Sequence, residues 1–333
     1  MQPKVSIIVP VYNAGDAFKT CIESLLNQTL QEIQIILVLD CPTDGTDKLA
    51  YEYAKNDNRI HIVRNEQNIN IGLSRNRGLQ EAEGEYIGFA DHDDYCNPDM
   101  FESLYLKAVT NNADIVVSDY ICRINGTDLT YGFPLNIPND SFNQLYFKAL
   151  VEAQYSKGNT RSFENVNPIW NQIYKRDLIE QNSVKFPDNR IISMEDVIFS
   201  LQIHYYAKNV VYEPHAFYTH IVDGRNAYMS YDYLSFAKTN NFLRAEISFL
   251  KKVGIYEQYM SELSICCLRK LYTSFLNELR FKNIRKAIKS IKQIRHDEDY
   301  QVLLGNLATT GKAGEHIKGL TIPKKIYLHI LGK

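Results

Sequence analysis

The first 120 residues alternate short apolar runs with stretches of helical periodicity. Between the runs, apolar side chains recur at every third or fourth position, which is typical of helices that cover a sheet. Nearly continuous apolar strands are usually covered on both faces. The pattern therefore predicts an α/β fold with a Rossmann-like, mostly parallel sheet and flanking helices. The predicted strands are Val5–Val11, Ile33–Leu39, Ile60–Val63, Tyr86–Ala90 and Ile115–Ser118.

The rest of the chain has two parts with different patterns. From about residue 127 to 218, turn-forming residues are frequent and apolar periodicity is weak. From Asp232 onward, apolar residues recur at helical spacing. We therefore predict two domains, 1–225 and 226–333, of which the second is a helical C-terminal region. The six cysteines form no C-x-x-C pair, as expected of free thiols in a reducing compartment.

Charge and hydropathy narrow the choice of partners. The 333 residues include 37 lysines and arginines and 39 aspartates and glutamates, for a net charge of −2. This balance argues against a nucleic-acid partner, which favours a strongly basic protein. No leader-like segment opens the sequence, and no apolar run approaches the roughly 20 residues that span a bilayer. We therefore expect a cytoplasmic protein.

The C-terminal region contains a basic, amphipathic stretch from Arg280 to Arg295, and Lys324 and Lys325 follow later. Such a stretch suits peripheral contact with the inner face of the plasma membrane. It also suits a homo-oligomer contact through the C-terminal helices. A solvated helical face is the simplest interpretation.

Acidic residues follow two of the predicted strands. Asp40 comes directly after the second strand, and Asp91, Asp93 and Asp94 follow the fourth. Ligands of open α/β sheets bind beyond the carboxyl ends of the strands, so these side chains point to one rim. Mg²⁺ or Mn²⁺ takes one or two carboxylates together with phosphate oxygens of a substrate. A metal that bridges protein and diphosphate is one interpretation, and a solvated acidic turn is the other.

Further candidates are ambiguous from residue type alone. Glu195 and Asp196 open a predicted helix, where the helix dipole favours acids, but such a residue is also a candidate general base. His92 lies within the acidic cluster and His220 follows a predicted strand, and a lone histidine is more often structural than catalytic. Neither a P-loop nor a G-x-G-x-x-G motif follows the first strand, so the usual ATPase and dinucleotide fingerprints are missing.

Together these segments resemble glycosyltransferase family 2, a large bacterial family with the GT-A fold. The resemblance covers roughly residues 3–225, and the order of the motifs is more specific than any one of them. In the family's D-D-G-S-T-D-G-T element, Leu39, Cys41 and Pro42 replace the first Asp, the Gly and the Ser, and Asp40 is kept. The similar segments are Val5–Asn13, Asp40–Thr46, Asn68–Gly84, Gly84–Asp94 with its D-x-D motif, Trp170–Arg176 and Ser193–Phe199 with its E-D-x-x-F motif.

The resemblance implies an inverting glycosyltransferase that moves a sugar from a nucleoside-diphosphate donor, most often a UDP-sugar, to an acceptor hydroxyl. It implies that Asp196 is the base, with Glu195 beside it, and that Mg²⁺ or Mn²⁺ is the cofactor. The implied metal ligands are Asp91, Asp93 and His220. The implied nucleotide-binding residues are Pro10, Tyr12, Asn13, Asp40, Arg75, Asp91 and His92, with Asp40 at the base.

The implied acceptor is a saccharide or a lipid-linked saccharide in cell-surface polysaccharide synthesis. Two other functions stay open. A sugar-nucleotide nucleotidyltransferase would normally carry a Gly- and Arg/Lys-rich loop after the first strand, which Pro10–Gly15 lacks. A non-catalytic binding protein with a degenerate GT-A site is disfavoured by the retained acidic residues. Release of nucleoside diphosphate, of pyrophosphate, or of neither would distinguish the three.

Overall fold

Ten strands form a single sheet in the part of the chain that the computed structural model describes, which is 2–135, 137–152, 160–162, 166, 168–222, 232 and 234–309. The strands are β1 (Val5–Val11), β2 (Ile33–Leu39), β3 (Ile60–Arg64), β4 (Tyr86–Phe89), β5 (Tyr95–Cys96), β6 (Ile115–Ile124), β7 (Thr127–Gly132), β8 (Thr160–Arg161), β9 (Gln172–Lys175) and β10 (Val210–Val222). The helices are α1 (Ala17–Leu26), α2 (Thr46–Asn56), α3 (Asn70–Gln80), α4 (Met100–Asn111), α5 (Asn139–Glu152), α6 (Arg176–Gln181), α7 (Glu195–Tyr206), α8 (Phe236–Lys252), α9 (Met260–Arg280), α10 (Ile284–Arg295) and α11 (Glu298–Thr309).

The sheet order is β3-β2-β1-β4-β9-β6-β10-β5, and β7 pairs with both β6 and β8. Strands β3, β2, β1 and β4 run parallel to one another, and so do β6 and β10. Strand β9 is antiparallel to both of its neighbours, β4 and β6. The predicted α/β fold with a mostly parallel sheet is confirmed. Every residue of β1 and β2 is buried, as expected of strands that helices cover on both faces.

The middle of the chain is more regular than its sequence pattern indicates. The region predicted to be rich in loops contains β7, β8, β9, α5 and α6. Apart from the 14-residue α5, these elements have only two to six residues, which is too short to show clear periodicity. Strands β7 and β9 are held by antiparallel pairing to β6. Their strand conformation depends on hydrogen bonds to a distant segment, which local sequence does not specify.

The chain divides into two compact units. The larger comprises residues up to 147, the described residues between 160 and 189, and residues 194–222, and it contains the sheet. The smaller comprises 148–152, 190–193 and the described residues from 232 to 309. The predicted boundary at 225/226 lies outside the described residues.

Amphipathic helices build the smaller unit, so the predicted helical C-terminal region is confirmed. Helices α8 and α11 both pack on α9, with apolar residues such as Phe242, Leu263 and Leu303 completely buried. None of the described helices combines the length and apolar content needed to cross a bilayer.

Candidate active site

The acidic loop after β4 is anchored to β10. The backbone N–H of Asp91 donates to the hydroxyl of Tyr218 at 2.9 Å, and that hydroxyl donates to Oδ2 of Asp94 at 3.0 Å. The buried carboxylate of Asp94 also accepts hydrogen bonds from Nδ1 of His220 at 3.0 Å and from the backbone N–H of Ile221 at 2.8 Å. The carboxylate of Asp94 therefore points away from solvent and attaches the loop to β10.

Asp94 and His220, which form this anchor, stabilise the charged forms of each other. Burial raises the pKa of Asp94 to about 6, although the hydrogen bond and charge of His220 oppose the shift. Burial alone would lower the pKa of His220, but the hydrogen bond and charge of Asp94 raise it overall. Each group thus favours the charged form of the other in a site where burial disfavours both.

Arg75 connects the acidic loop to the E-D motif. It projects from α3 and its side chain is 4% exposed. Nη2 donates to Oδ1 of Asp91 at 2.9 Å, and Nη1 donates to Oε1 of Glu195 at 3.0 Å. The guanidinium also lies over the ring of Phe186, 5.4 Å from its centroid. One buried cation therefore brings together two carboxylates that are far apart in sequence.

The E-D motif begins α7 in an environment that favours protonation. Burial and the charge of Asp196 raise the pKa of Glu195 to about 7, against the opposing charge of Arg75. Burial also raises the pKa of the half-buried Asp196, again against Arg75. Oδ1 of Asp196 accepts a hydrogen bond from the backbone N–H of Val197 at 2.9 Å, and its carboxylate forms no other hydrogen bond within the described chain. The carboxylate of Asp196 can therefore accept further hydrogen bonds, and its role as the base stays a prediction.

A glycine lets α3 approach the E-D motif closely. A Cβ on Gly72 would lie 2.5 Å from the carbonyl oxygen of Pro187 and 3.1 Å from Cγ of Glu195. The backbone N–H of Gly72 donates to the side chain of Asn189 at 3.3 Å. A larger residue at this position would therefore require α3 or the segment around Pro187 to shift.

The predicted nucleotide residues at the end of β1 lie next to the acidic loop. Nδ1 of the half-buried His92 is 3.0 Å from the carbonyl oxygen of Pro10, so Nδ1 carries the proton of this hydrogen bond. The side chain of Tyr12 is 46% exposed. Asn13 accepts a hydrogen bond from the backbone N–H of Thr43 at 2.7 Å, which joins the loops after β1 and β2. Nucleotide binding by these residues stays a prediction.

Asp40 lies in a more enclosed environment than we expected, and its contact with the nucleotide base stays a prediction. We expected its carboxylate to meet the nucleotide base, but the side chain is 3% exposed. Oδ1 accepts hydrogen bonds at 2.8 Å from the backbone N–H of Ile69 and from Nδ2 of Asn65, and Oδ2 accepts one at 2.9 Å from the backbone N–H of Asn70. Asp40 therefore caps the start of α3, where N–H groups lack helical partners.

The structure shows contacts of Arg75 that its predicted role in nucleotide binding did not include. Each of its terminal nitrogens donates one hydrogen bond to a carboxylate, and its buried Nε has no hydrogen-bond partner among the described residues. Burial opposes its charge, but the charges of Asp91 and Glu195 raise the pKa of Arg75 above its usual value. The structure gives Arg75 a positioning role between the two motifs, and contact with nucleotide stays a prediction.

The donor set of the acidic loop fits a hard divalent cation. Asp91 and Asp93 are both half-buried, and burial followed by the charge of Asp91 raises the pKa of Asp93. Asp93 forms no ion pair with any described residue. No three His, Cys, Asp or Glu side chains in the described chain form a ready metal site, so the set with His220 is not preformed. Because Nδ1 of His220 bonds Asp94, only its Nε2 stays available as a predicted third ligand.

Sequence reasoning missed Tyr218, Trp170 and Phe186 as supports of the site. Tyr218 joins both ends of the acidic loop, and Trp170 stacks on its ring with a centroid distance of 4.3 Å. Trp170 also stacks on His220 at 5.5 Å. Tyr218 precedes His220 by two positions in one strand, so the two side chains share a face, and this period was the available signal.

Comparison with known proteins shows the family. Residues 6–194, which are more than half of the chain, match the family described as Glycosyl transferase family 2. The chain belongs to this family. As a family 2 glycosyltransferase it is an enzyme, and the interpretations as a nucleotidyltransferase or a non-catalytic protein lose their support.

Relatives and solved structures agree with this family 2 assignment. EpsH of Bacillus subtilis (strain 168) is 30% identical over 313 residues, which cover 93% of this chain and 88% of EpsH. Residues 1–349 of S. aureus TarS, in complex with UDP-GlcNAc, superpose with a TM-score of 0.54 at 19% identity, covering 92% of each chain. The mannosyltransferase PcManGT from Pyrobaculum calidifontis, in complex with GDP-Man and Mn²⁺, gives 0.55 at 14% identity, covering 100% of this chain and 86% of PcManGT. These two structures confirm the GT-A fold.

Proposed function

We propose that this glycosyltransferase transfers a sugar from a nucleoside-diphosphate donor to an acceptor hydroxyl with inversion at the anomeric carbon. The observation that carries the proposal is the link through Arg75, which contacts Asp91 at 2.9 Å and Glu195 at 3.0 Å. One guanidinium thus connects the acidic loop, suited to the leaving group, with the motif that contains the candidate base.

The proposed leaving-group side is formed by Asp91 and Asp93. Their carboxylates would hold Mg²⁺ or Mn²⁺, whose chemical contribution is to offset the negative charge that builds on the departing diphosphate. Tyr218 and Asp94 fix the backbone that presents these carboxylates. The crystal structure of PcManGT with GDP-Man and Mn²⁺ supports the use of a divalent metal in this fold.

The proposed acceptor side depends on Asp196. Its carboxylate takes the proton of the acceptor hydroxyl while the bond from that oxygen to the anomeric carbon forms and the bond to the diphosphate oxygen breaks. The raised pKa of Asp196 brings its basicity closer to that required for proton transfer near neutral pH. A single base on the face opposite the leaving group produces inversion, since no covalent enzyme intermediate intervenes.

The donor and acceptor are proposed at the level of chemical class. We favour a UDP-sugar donor held by Pro10, Tyr12, Asn13 and His92, and the UDP-GlcNAc complex of TarS supports this choice. The acceptor is a saccharide or lipid-linked saccharide of a cell-surface polysaccharide.

The test is metal-dependent nucleotide binding and product analysis with the full chain. UDP binding is measured by calorimetry with and without Mn²⁺ in wild type, in Asp93→Ala and in the control Asp99→Ala, an exposed aspartate six residues away. We expect Asp93→Ala alone to lose the Mn²⁺-dependent part of the affinity. A donor screen with UDP- and GDP-sugars should then release free nucleoside diphosphate. Unchanged calorimetry for Asp93→Ala, or release of pyrophosphate, would contradict the proposal.

A further inference from the structure

Exposed apolar side chains are concentrated on both sides of the turn between α9 and α10. Ile284 and Ile288 in α10 are 60% and 51% exposed, and Leu276 and Leu279 at the end of α9 are 43% and 39% exposed. We call these four residues the α9–α10 apolar band. Scattered exposed apolar residues are normal on a protein surface, but a cluster usually marks a contact.

Beside the arc of α10 that carries Ile284 and Ile288 lies a second exposed arc, which is basic. At about 100° per residue, Ile284 and Ile288 lie roughly 40° apart, and the arc beside them carries Arg285, Lys289 and Lys292. None of these three cations forms an ion pair in the described chain. The opposite side of the helix is buried through Ala287, Ser290 and Ile294. Helix α10 therefore faces the protein with one arc and offers solvent a paired apolar and cationic surface.

The local charge contrasts with that of the whole chain. Seven lysines and arginines and no aspartate or glutamate lie between Leu279 and His296, although the chain has a net charge of −2. Charges that only maintain solubility are normally mixed in sign along a helix. A segment with only positive charges beside exposed isoleucines is instead suited to contact a surface that is anionic and has an apolar interior.

We propose that the α9–α10 apolar band and the adjacent basic arc bind the surface of an anionic lipid bilayer, with α10 lying in the plane of the interface. The isoleucines enter the boundary between headgroups and acyl chains, and the cations lie among the negative headgroups. This proposal does not depend on the donor or acceptor of the proposed reaction.

Two other occupants fit less well. A second copy docked by a two-fold axis would place the same patch against itself, so the cations would face cations. A nucleic acid would satisfy the cations but would leave Ile284 and Ile288 against phosphates, with no apolar surface to cover them. A bilayer with anionic headgroups accommodates both arcs at once.

The test is co-sedimentation of the full chain with vesicles. Vesicles of phosphatidylglycerol and phosphatidylcholine in equal amounts are compared with vesicles of phosphatidylcholine alone, at low and high salt. We expect binding to the anionic vesicles only, weakened by salt. Each cation near the surface contributes about a fivefold factor in affinity, so Arg285→Gln/Lys289→Gln/Lys292→Gln should bind about 100-fold more weakly.

Two matched variants separate the contributions. Ile284→Ser/Ile288→Ser should lower vesicle affinity about tenfold, because it removes apolar surface and keeps every charge. Leu106→Ser/Val109→Ser, which alters exposed apolar residues on α4, should bind like wild type. Equal binding to both vesicle types, no binding at low salt, or a lipid-independent dimer that the isoleucine substitutions dissociate would each overturn the proposal.

Discussion

Removal of the positive charge of Arg75 should destabilise the larger unit in a way that depends on pH. In Arg75→Gln, the carboxylates of Asp91 and Glu195 lose the buried cation that both now contact. Breaking a buried ion pair by removing one partner costs about 3–5 kcal/mol, because the other charge stays buried. For a unit of this size, 1 kcal/mol shifts Tm by roughly 2–4 °C, so the expected fall is about 10 °C.

The pH dependence follows from Glu195, whose pKa is already raised to about 7. A carboxyl with a folded pKa above its unfolded value contributes stability that is full at low pH and is lost as the pH rises through the folded pKa. Since Arg75 lowers the pKa of Glu195, its removal raises that pKa further. The stability difference between Arg75→Gln and wild type should therefore widen from pH 5 to pH 8.

The assay is urea unfolding at pH 5 and pH 8 of wild type, Arg75→Gln, Glu195→Gln and the double variant. The double variant replaces the stranded carboxylate with a neutral amide of the same shape, so it should recover a large part of the loss. We expect a coupling energy of about 2 kcal/mol between the two positions. Purely additive losses, or a Tm of Arg75→Gln close to that of wild type, would refute the link that we describe.

Three further variants test other parts of the structure. Gly72→Ala should lower kcat/KM and cost about 1–3 kcal/mol, because the added Cβ meets Pro187 at 2.5 Å. The control Gly305→Ala in α11 has open space and should stabilise by up to about 1 kcal/mol, because alanine favours a helix over glycine; equal behaviour of the two would contradict the close approach. Tyr218→Phe should lower the free energy of unfolding by about 1–3 kcal/mol and weaken Mn²⁺-dependent UDP binding, because it leaves the N–H of Asp91 without its acceptor. UDP calorimetry like that of wild type would exclude this role of Tyr218. Burial raises the pKa of Glu246 to about 8, so its ionisation opposes folding as the pH rises. The free energy of unfolding of Glu246→Gln, measured in urea, should therefore gain roughly 3 kcal/mol relative to wild type between pH 5 and pH 8. Parallel pH profiles of the two proteins would reject this.

Strands of the sheet were predictable from sequence where the apolar pattern of a single segment is enough to recognise a strand. Strands β1 and β2 begin and end at the predicted residues, because continuous apolar runs of about seven residues are found in the interior of such sheets. Asp91 follows the fourth strand as expected, and its loop contains the predicted carboxylates. The antiparallel strand β9 between β4 and β6 was not predictable, since four residues carry no period and the pairing is entirely non-local.

The site was less predictable because its contacts cross long stretches of chain. Helix α3 begins at Asn70, whose N–H is accepted by Asp40, 30 residues earlier in the sequence. The bond between Arg75 and Glu195 spans 120 residues. Motif order predicted the acidic candidates at Asp40, in the loop after β4 and in the E-D motif, but a carboxylate at a strand end can serve as a ligand or as a cap. The three-dimensional partners of Asp40 show that it caps α3 in this structure.

The most direct test of the proposed mechanism is the rate of nucleoside-diphosphate release by Asp196→Asn in the presence of donor, acceptor and Mn²⁺. The change keeps the shape of the side chain and removes its ability to take a proton. A general base contributes about 10²–10⁴-fold, so the rate should fall by that factor, while the Kd of UDP with Mn²⁺ should stay within about twofold of wild type. A wild-type rate of release in this variant would contradict the assignment of Asp196 as the base.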